Sequence, residues 1–162
     1  MHNNLVREYQ ISDTEAIMKL FYDTVHQINI FDYTQEQINA WTGETMDYEF
    51  WHERLKSKLP FIAEKHGEIV GFAELEANGH IDCFYCHSQY QRQGIGSKLL
   101  THIENTAKSR KINRLYAEVS ITAKPFFQHW GFTVVKEQEV ERRGIKFKNY
   151  VMEKYLQQIP LL

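Results

Sequence analysis

The sequence predicts one domain of the mixed α/β class over residues 1–162, and three observations lead to this prediction. Asn78-Gly79 separates two apolar runs, which is a strong signal for a hairpin of antiparallel strands. The segment 91–96 (QRQGIG) follows an apolar, aromatic strand and precedes residues that are apolar at helical spacing. The chain has no repeats, linkers or low-complexity tracts, so its length fits one domain with a sizeable core.

The first half of the chain predicts one strand followed by helices. Residues 5–9 have the pattern of a strand, and the segment from Ser12 to Glu15 matches a capping box that opens a helix. That helix carries apolar residues on one side, namely Ile17, Leu20, Phe21, Val25 and Ile28. A second helical region covers roughly residues 34–59 and is broken near Gly43. A group of aromatic side chains accompanies it: Tyr33, Trp41, Tyr48, Phe50 and Trp51.

The second half predicts strands on both sides of one long helix. Three antiparallel strands cover residues 61–65, 69–76 and 80–87. The helix after the glycine segment runs to about residue 110. As a crossover, it places the next strand, residues 114–120, beside strand 80–87 and parallel to it. A short helix at 123–130 ends at Gly131. The sheet is closed by a hairpin of residues 133–141 and 146–155.

Charge is unevenly distributed along the chain, which bears on its ligands. The net charge of −2 argues against a dedicated nucleic-acid-binding protein. Residues 1–79 carry 14 acidic and 6 basic side chains, whereas residues 80–162 carry 7 acidic and 13 basic ones. The second half is therefore suited to an anionic ligand and the first half to a cationic one. The alternative is that the two solvated surfaces differ in charge without a functional reason.

No segment predicts a membrane span or an export signal. No apolar run approaches the ~20 residues that cross a bilayer, and Met1 to Asn4 lack the basic and apolar regions of a signal peptide. We therefore expect a cytoplasmic protein without a membrane partner. Cys83, Cys86 and His87 match the Cys-x-x-Cys-His pattern of haem attachment. Because strand residues three apart point to opposite faces, buried free thiols are predicted instead of a disulfide or a shared metal.

The glycine segment is the strongest functional signal. Gly94 and Gly96 stand at the start of a helix, where they let a ligand approach the backbone and leave the first N–H groups free. The helix dipole adds to the attraction of these N–H groups for a pyrophosphate. The segment lacks the third glycine of a dinucleotide fingerprint, and Gly96-Ser97-Lys98 has the wrong order for a Walker loop. We predict an anion cradle, with an ordinary tight turn as the alternative.

Two motifs together resemble those of one enzyme family. Residues 84–86 (FYC) followed by the glycine segment are similar to the [Q/R]-x-x-G-x-[G/A] acetyl-CoA signature of the GNAT superfamily of N-acetyltransferases. Residues 123–132 (AKPFFQHWGF) resemble its second signature, a helix that ends in Gly-Phe. The resemblance covers nearly the whole chain. Segments such as 71–75 (GFAEL) are similar to a bacterial group of GNAT proteins whose substrates are poorly defined.

This resemblance implies a fold and an activity. The fold is a mixed, mostly antiparallel sheet with flanking helices and one central parallel strand pair that splays apart. The activity is transfer of an acetyl group from acetyl-CoA to a primary amine, by direct attack in a ternary complex and without a metal. The residues expected to bind acetyl-CoA are Phe84, Tyr85, Cys86, Gln91, Arg92, Gln93, Gly94, Ile95, Gly96, Ser97, Ser120, Lys124, Phe126 and Phe127.

Acetyl transfer to an amine is helped by a base, because an alkylamine of pKa ~10.4 is almost wholly protonated at neutral pH. We predict His80 for this role, since it stands where well-studied family members carry a catalytic glutamate. Asp82 shares its face by strand alternation and could orient or replace it. Glu74 and Glu118 are alternatives, and each of these residues could equally be an ordinary surface or salt-bridged group. The backbone N–H of Cys86 is the predicted oxyanion donor.

The leaving thiolate lacks its usual proton donor. Phe127 stands where many family members carry a tyrosine with this role. A thiol of pKa ~8.5 can leave unprotonated, so the change does not abolish the reaction. Tyr116 and Tyr85 are the candidate acids, although both could simply line the core or the pocket.

The acceptor is predicted to bind among Tyr33, Trp41, Tyr48 and Trp51, with helix-to-sheet packing as the alternative role of these rings. Nearby acids would suit a small cationic amine, and a peptide amine is also open; these acids are Asp32, Glu36 and Glu44. Other functions remain open too: an acyl-CoA-binding sensor without turnover, a protein N-acetyltransferase, or a protein-interaction module. An exposed sheet edge permits a homodimer.

Overall fold

The computed structural model describes residues 4–157, and this part of the chain contains both strands and helices. The strands are β1 (Asn4–Glu8), β2 (Phe61–Lys65), β3 (Glu68–Leu75), β4 (Ile81–Cys86), β5 (Arg114–Ser120), β6 (Thr133–Arg142) and β7 (Ile145–Tyr155). The helices are α1 (Thr14–Gln27), α2 (Gln35–Thr42), α3 (Tyr48–Lys58), α4 (Ile95–Ser109) and α5 (Lys124–His129). Each predicted element is present, with ends that differ by a residue or two. Residues 1–3, which the signal-peptide argument used, lie outside the described residues.

The strands form two antiparallel sheets that meet at one point. The first sheet has the order β1-β2-β3-β4 and the second the order β5-β7-β6. A parallel bridge joins His80, the residue before β4, to Tyr116 near the start of β5. There the backbone N–H of Tyr116 donates to the carbonyl of Gly79 at 3.1 Å. The mixed α/β class is therefore confirmed, while the predicted parallel pair is limited to this bridge.

Gly79 makes the contact between the two sheets possible. Its φ of +94° lies in the left-handed region, and a Cβ at this position would lie 2.0 Å from the carbonyl oxygen of Arg114. Only glycine therefore allows the turn between β3 and β4 to approach β5 so closely. The β3–β4 ladder shifts register between Ala73 and Leu75, so β4 begins with an irregularity.

Helices cover both faces of the first sheet, each over its own hydrophobic core. α4 buries Leu99, Leu100 and Ile103 on one face. α1, α2 and α3 bury the other core, and the predicted apolar side of α1 faces it through Ile17 and Val25. Amphipathic spacing thus assigned these helix faces correctly, because one apolar stripe per helix is all that burial requires.

The start of α1 differs from the prediction, and the capping box assigned to Ser12 is wrong. A turn of 3-10 helix, Ile11–Asp13, comes first. The Asp13 carboxylate accepts hydrogen bonds from the backbone N–H of Gln10 at 2.8 Å and from the Arg7 guanidinium at 2.9 Å. An ion pair from β1 therefore fixes the start of α1, which the local pattern did not indicate.

The structure bears on the two cysteines and on the question of a membrane span. Cys83 and Cys86 are both free and pack against different cores, as their positions on a strand predict. Within residues 4–157, none of the helices has the length and apolar composition that crossing a bilayer requires.

Candidate active site

β4 and β5 diverge beyond their bridge, and the gap between them opens into a cavity of about 1000 Å³. The backbone N–H of His87 donates to the carbonyl of Val70 at 2.8 Å. Because hydrogen bonds alternate along an antiparallel ladder, the backbone groups of Phe84 and Cys86 point away from β3. They face the gap, where the sheet leaves them available to a ligand.

The first turn of α4 forms one end of this cavity. The first hydrogen bond of the helix runs from the N–H of Lys98 to the carbonyl of Gly94 at 3.1 Å, and no side chain caps the helix. The N–H groups of Ile95, Gly96 and Ser97 are therefore unpaired within the helix, and all three residues line the cavity. Such a helix start suits a phosphate group, as the glycine segment predicts.

The two sequence motifs pack directly on each other. A Cβ at Gly96 would lie 3.0 Å from the ring of Phe126, so the glycine admits this ring as well as a ligand. Phe126 and Phe127 both contact Phe84, with ring centroids 5.5 and 5.4 Å away. The aromatic residues of α5 thereby close one side of the cavity over β4.

Polar side chains fix the backbone at the end of β4. Thr24 and Gln91 each donate to the carbonyl of Cys86 at 2.8 Å, which occupies that oxygen and leaves the Cys86 N–H for a ligand. Thr122 also lines the cavity, and its hydroxyl is buried without a hydrogen-bond partner. An unsatisfied buried hydroxyl is costly, so a ligand that pairs with it would be stabilised. These donors fit the amides and phosphates of a coenzyme A derivative.

The predicted cofactor-binding residues line this cavity, except Gln93 and Lys124. The Gln93 side chain accepts a hydrogen bond from Lys65 at 2.9 Å, and the Lys124 ammonium lies 4.2 Å from the centre of the Tyr150 ring. Residues that sequence reasoning missed include Thr24, Asn29, Phe31, Thr122, Pro125 and His129. Thr24 had a signal, since it is a polar residue on the buried side of α1.

A second cavity of about 300 Å³ adjoins the first. Its wall combines polar and charged residues with five aromatic or aliphatic ones, namely Tyr33, Trp41, Tyr85, Phe147 and Val140. The two cavities share five lining residues, which are Trp41, Asp82, Tyr85, Glu118 and Ser120. We call these five residues the shared wall. Two ligands bound in the two cavities would therefore meet at this wall.

The predicted acceptor aromatics divide into two groups. Tyr33 and Trp41 line the second cavity, and the Tyr33 hydroxyl donates to the carbonyl of Lys148 at 2.7 Å. Trp51 is instead buried in the core, and Tyr48 lies over the ring of His52. Of the three acids named with them, Asp32 lines the first cavity, whereas Glu36 and Glu44 line neither. The aromatic pattern alone could not separate pocket from core, because both are apolar.

His80 lies behind the shared wall and connects two carboxylates. Its Nδ1 is 2.5 Å from Glu76 and its Nε2 is 2.6 Å from Glu118, which belongs to the shared wall. Burial opposes the charged form, but the hydrogen bonds to both carboxylates outweigh it and raise the pKa of His80. With both ring nitrogens facing carboxylates, His80 is an imidazolium in this arrangement and must lose a proton before it can act as a base.

Asp82 and Glu74 meet at Arg54 and not at His80. The Arg54 guanidinium lies 2.9 Å from Asp82 and 2.6 Å from Glu74. Asp82 also pairs with Lys58 at 3.0 Å. Although burial opposes it, the contacts with Lys58 and Arg54 lower the pKa of Asp82. Glu74 is fully buried and lines neither cavity, and burial raises its pKa.

The two candidate acids differ in position. Tyr116 lines neither cavity; its ring packs against His80 and its hydroxyl is 2.9 Å from Asn78. Tyr85 belongs to the shared wall, and its hydroxyl is 3.2 Å from the indole nitrogen of Trp41. Burial raises the pKa of Tyr85, so its hydroxyl stays protonated. Of the two, Tyr85 alone has access to a bound ligand. Within residues 4–157, no cluster of three or more His, Cys, Asp or Glu side chains could hold a metal ion.

Comparison with known proteins agrees with this geometry. Residues 29–154 match the model of the acetyltransferase (GNAT) domain. The chain is 34% identical to the uncharacterized N-acetyltransferase YafP of Escherichia coli K12, over 94% of this chain and 96% of that protein. It superposes on the GCN5-related N-acetyltransferase from Rhodopseudomonas palustris, described as a class-II aminotransferase, with a TM-score of 0.90 and 30% identity over 96% and 98% of the two chains.

A more distant structure shares the fold and contains a ligand. The PaiA N-acetyltransferase from Thermoplasma acidophilum, in complex with coenzyme A, has a TM-score of 0.74 and 21% identity, over 94% of this chain and 99% of that one. The domain match and the relatives above establish the family: this chain belongs to the GNAT acetyltransferases. As such it is an acetyl-CoA-dependent N-acetyltransferase, and the resemblance seen in the two sequence motifs is confirmed.

Proposed function

We propose that the protein transfers the acetyl group of acetyl-CoA to the primary amine of a small molecule, by direct attack within a ternary complex. The observation that carries this proposal is the shared wall, where a larger and a smaller cavity meet. The larger cavity, of about 1000 Å³, has the volume for a donor of cofactor size, and the smaller one, of about 300 Å³, suits an acceptor of modest size. Family membership supplies the reaction class.

The larger cavity is the proposed donor site. The coenzyme A bound by the Thermoplasma acidophilum protein supports this assignment. In this chain, the free N–H groups of Ile95, Gly96 and Ser97 would hold the pyrophosphate. The backbone groups of Phe84 and the hydroxyl of Thr122 would pair with polar groups further along the donor. Acetyl-CoA then supplies an activated thioester at the shared wall.

Direct attack is favoured because the cavity offers no activated nucleophile of its own. Burial raises the pKa of the Cys86 thiol to about 12, so it remains protonated at neutral pH. A thiol in that state would not accept the acetyl group at a useful rate. The Cys86 N–H, which faces the gap, is instead the proposed donor to the developing oxyanion.

Proton removal is assigned to His80 acting through Glu118. Glu118 belongs to the shared wall and can accept a hydrogen bond from the arriving ammonium group. His80 contacts Glu118 from behind, and Glu76 holds its other nitrogen. A neutral His80 can take up the proton that Glu118 receives, with Glu76 stabilising the resulting imidazolium. Asp82, already paired with two cations, is the alternative base.

The leaving group is proposed to depart as a thiolate beside Tyr85. That hydroxyl is held protonated by burial and can donate a hydrogen bond to a negative sulfur. A thiol of ordinary pKa ~8.5 does not require full protonation to leave. Phe127, which is buried in contact with Phe84, has no proton to donate and contributes only its ring to the cavity wall.

An acetyl-CoA consumption screen over a panel of amines tests this proposal. We expect turnover with at least one small primary amine, and initial-rate plots that intersect as a ternary complex requires. Ser97→Glu is the negative control, since it places a negative charge at the proposed pyrophosphate site. Binding of acetyl-CoA without acetylation of any amine would indicate the sensor, and activity restricted to peptides would indicate a protein N-acetyltransferase.

A further inference from the structure

Five charged residues line the second cavity, and three of them have partners of opposite charge. Asp82 lies between Arg54 and Lys58. Glu118 is hydrogen-bonded to His80. The Lys148 ammonium lies 3.8 Å from Glu137, and Lys148 offers its carbonyl to Tyr33. Glu141 and Arg142 have no side-chain hydrogen bond or ion pair within residues 4–157, so Arg142 is the one cation of this wall without a partner among the described residues.

The register of the β6–β7 hairpin directs Arg142 to the cavity. Arg142 is paired with Ile145, and Val140 with Phe147. Cross-strand partners share a face, and so do residues two apart on one strand. Val140, Phe147 and Ile145 pack against the core beneath the cavity, so Arg142 lies on that same face. Glu141 also lines the cavity, but by strand alternation its side chain lies on the opposite face, which it shares with its cross-strand partner Lys146.

The charge of Arg142 acts on the interior of the site. Burial raises the pKa of Tyr85, and the Arg142 guanidinium lies near enough to oppose that rise. Arg142 and Glu118 line the same cavity of about 300 Å³ without pairing with each other. The cavity therefore has a carboxylate at the shared wall and an unpaired guanidinium elsewhere on its wall. An isolated guanidinium in such a place offers a planar set of donors to a carboxylate or a phosphoryl group.

We infer that the acceptor is a small zwitterion, with its amine at Glu118 and an anionic group at Arg142. This inference rests on the proposed function and names the substrate class of the same site. It replaces the expectation of a second positive charge on the acceptor, which the acidic N-terminal half favoured. That expectation counted acids along the sequence, whereas Glu36 and Glu44 line neither cavity.

Matched substrates can measure this preference. A series of ω-amino acids of two to six carbons is compared with the diamine and the alkylamine of the same chain length. An aminoalkylphosphonate of each length separates phosphoryl from carboxylate recognition. We expect the best anionic substrate to exceed its diamine at least tenfold in kcat/KM. The advantage should fall with salt, because Arg142 is exposed to solvent.

Substitution of Arg142 assigns the preference to one side chain. Arg142→Ala should bring the zwitterion and the alkylamine within about threefold of each other, and Arg142→Glu should place the diamine first. Lys146→Glu is the matched control, because it makes the same charge change on the neighbouring strand, and Lys146 lines neither cavity. This control should keep the ranking of the unaltered protein.

The outcomes separate this inference from the proposed function. The zwitterion inference is wrong if a diamine is the best substrate, or if Arg142→Glu leaves the ranking of the substrates unchanged. In both cases the proposed acetyl transfer still holds. Failure to acetylate any amine, with acetyl-CoA bound, overturns both. The inference is supported if the amino acids and the aminoalkylphosphonates both have a higher kcat/KM than the matching diamines, and if only the Arg142 variants lose this advantage.

Discussion

The larger cavity, which is the proposed donor cavity, and the second cavity, which is the proposed acceptor cavity, are built in different ways. The first has a row of backbone N–H groups without partners in the helix, supplied by one short segment, Ile95 to Ser97. The second is lined by side chains from α2, β4, β5 and the β6–β7 hairpin, and its charges depend on a chain of ion pairs. A ligand common to many proteins can be held by backbone geometry, whereas the choice of acceptor depends on individual side chains.

This difference explains how much the sequence could predict. The donor cavity could be predicted from the sequence because a strand, a glycine segment and a helix follow one another directly. The local sequence pattern therefore indicates where a phosphate can bind. The interruption of helix near Gly43 and the hairpin at Gly79 followed from turn chemistry in the same way. The buried faces of the helices followed from periodicity.

The acceptor cavity was only partly predictable, because its residues are distant in sequence. Tyr33 and Trp41 were named, but nothing in the sequence separated them from the buried Trp51. Strand alternation placed Asp82 beside His80, yet the irregular start of β4 and the pull of Arg54 give it other partners. Arg142 was not named at all, because a free guanidinium is defined by the absence of partners in space.

The largest expected effect concerns the ion pairs that support the acceptor side. Arg54→Ala should lower the free energy of unfolding by about 3 kcal/mol, since it leaves Glu74 buried without its cation. Burial raises the pKa of Glu74, so its folded form binds a proton more readily than its unfolded form. The deficit should therefore shrink as pH falls toward the acid range. Denaturant unfolding at several pH values measures it.

The double variant Arg54→Met with Glu74→Leu is the control for this effect. It removes both charges and keeps apolar volume, so it should recover most of the lost stability. Equal losses in the single and the double variant would show that Arg54 contributes through packing, and would contradict the account of Glu74.

The donor cavity should respond to a single charge at its helix start. Ser97→Glu should weaken acetyl-CoA binding at least a hundredfold, about 2.7 kcal/mol, because the carboxylate competes with the pyrophosphate for the free N–H groups. Gly96 is a poorer choice, since a Cβ there also meets Phe126. Thr101→Glu adds the same charge one turn later on the exposed side and should bind normally. Calorimetry that finds equal affinities in the two variants would exclude the helix start as the phosphate site.

Loss of the histidine should reduce turnover without affecting the donor site. His80→Ala is expected to lower kcat about thirtyfold at pH 7, within the usual range for a general base, while acetyl-CoA affinity stays unchanged. The deficit should narrow as pH rises, because free amine becomes abundant. Steady-state kinetics between pH 6 and 9 follow it. Unchanged rates at pH 7 would return His80 to a structural role and direct attention to Asp82 and Glu118.

A smaller effect tests how His80 is tuned. The pKa of His80 is raised, so its basic form accumulates only above the ordinary value, and kcat/KM should rise with pH through that raised pKa. Glu76→Gln weakens the contact of 2.5 Å between Glu76 and His80. It should therefore move the rise of kcat/KM to lower pH by about half a unit or more. Glu53→Gln, on the exposed side of α3, should not move it. If the rise of kcat/KM occurs at the same pH in both variants as in the unaltered protein, a group other than His80 controls the pH dependence.

A crystal structure with coenzyme A and the preferred acceptor bound together is the most direct test of whether donor and acceptor meet at the shared wall. We expect the pyrophosphate on the N–H groups of Ile95 to Ser97, and the thiol beside Tyr85 at the shared wall. The acceptor amine should lie within hydrogen-bond distance of Glu118. An acceptor bound outside the second cavity, or a pyrophosphate away from the start of α4, would contradict it.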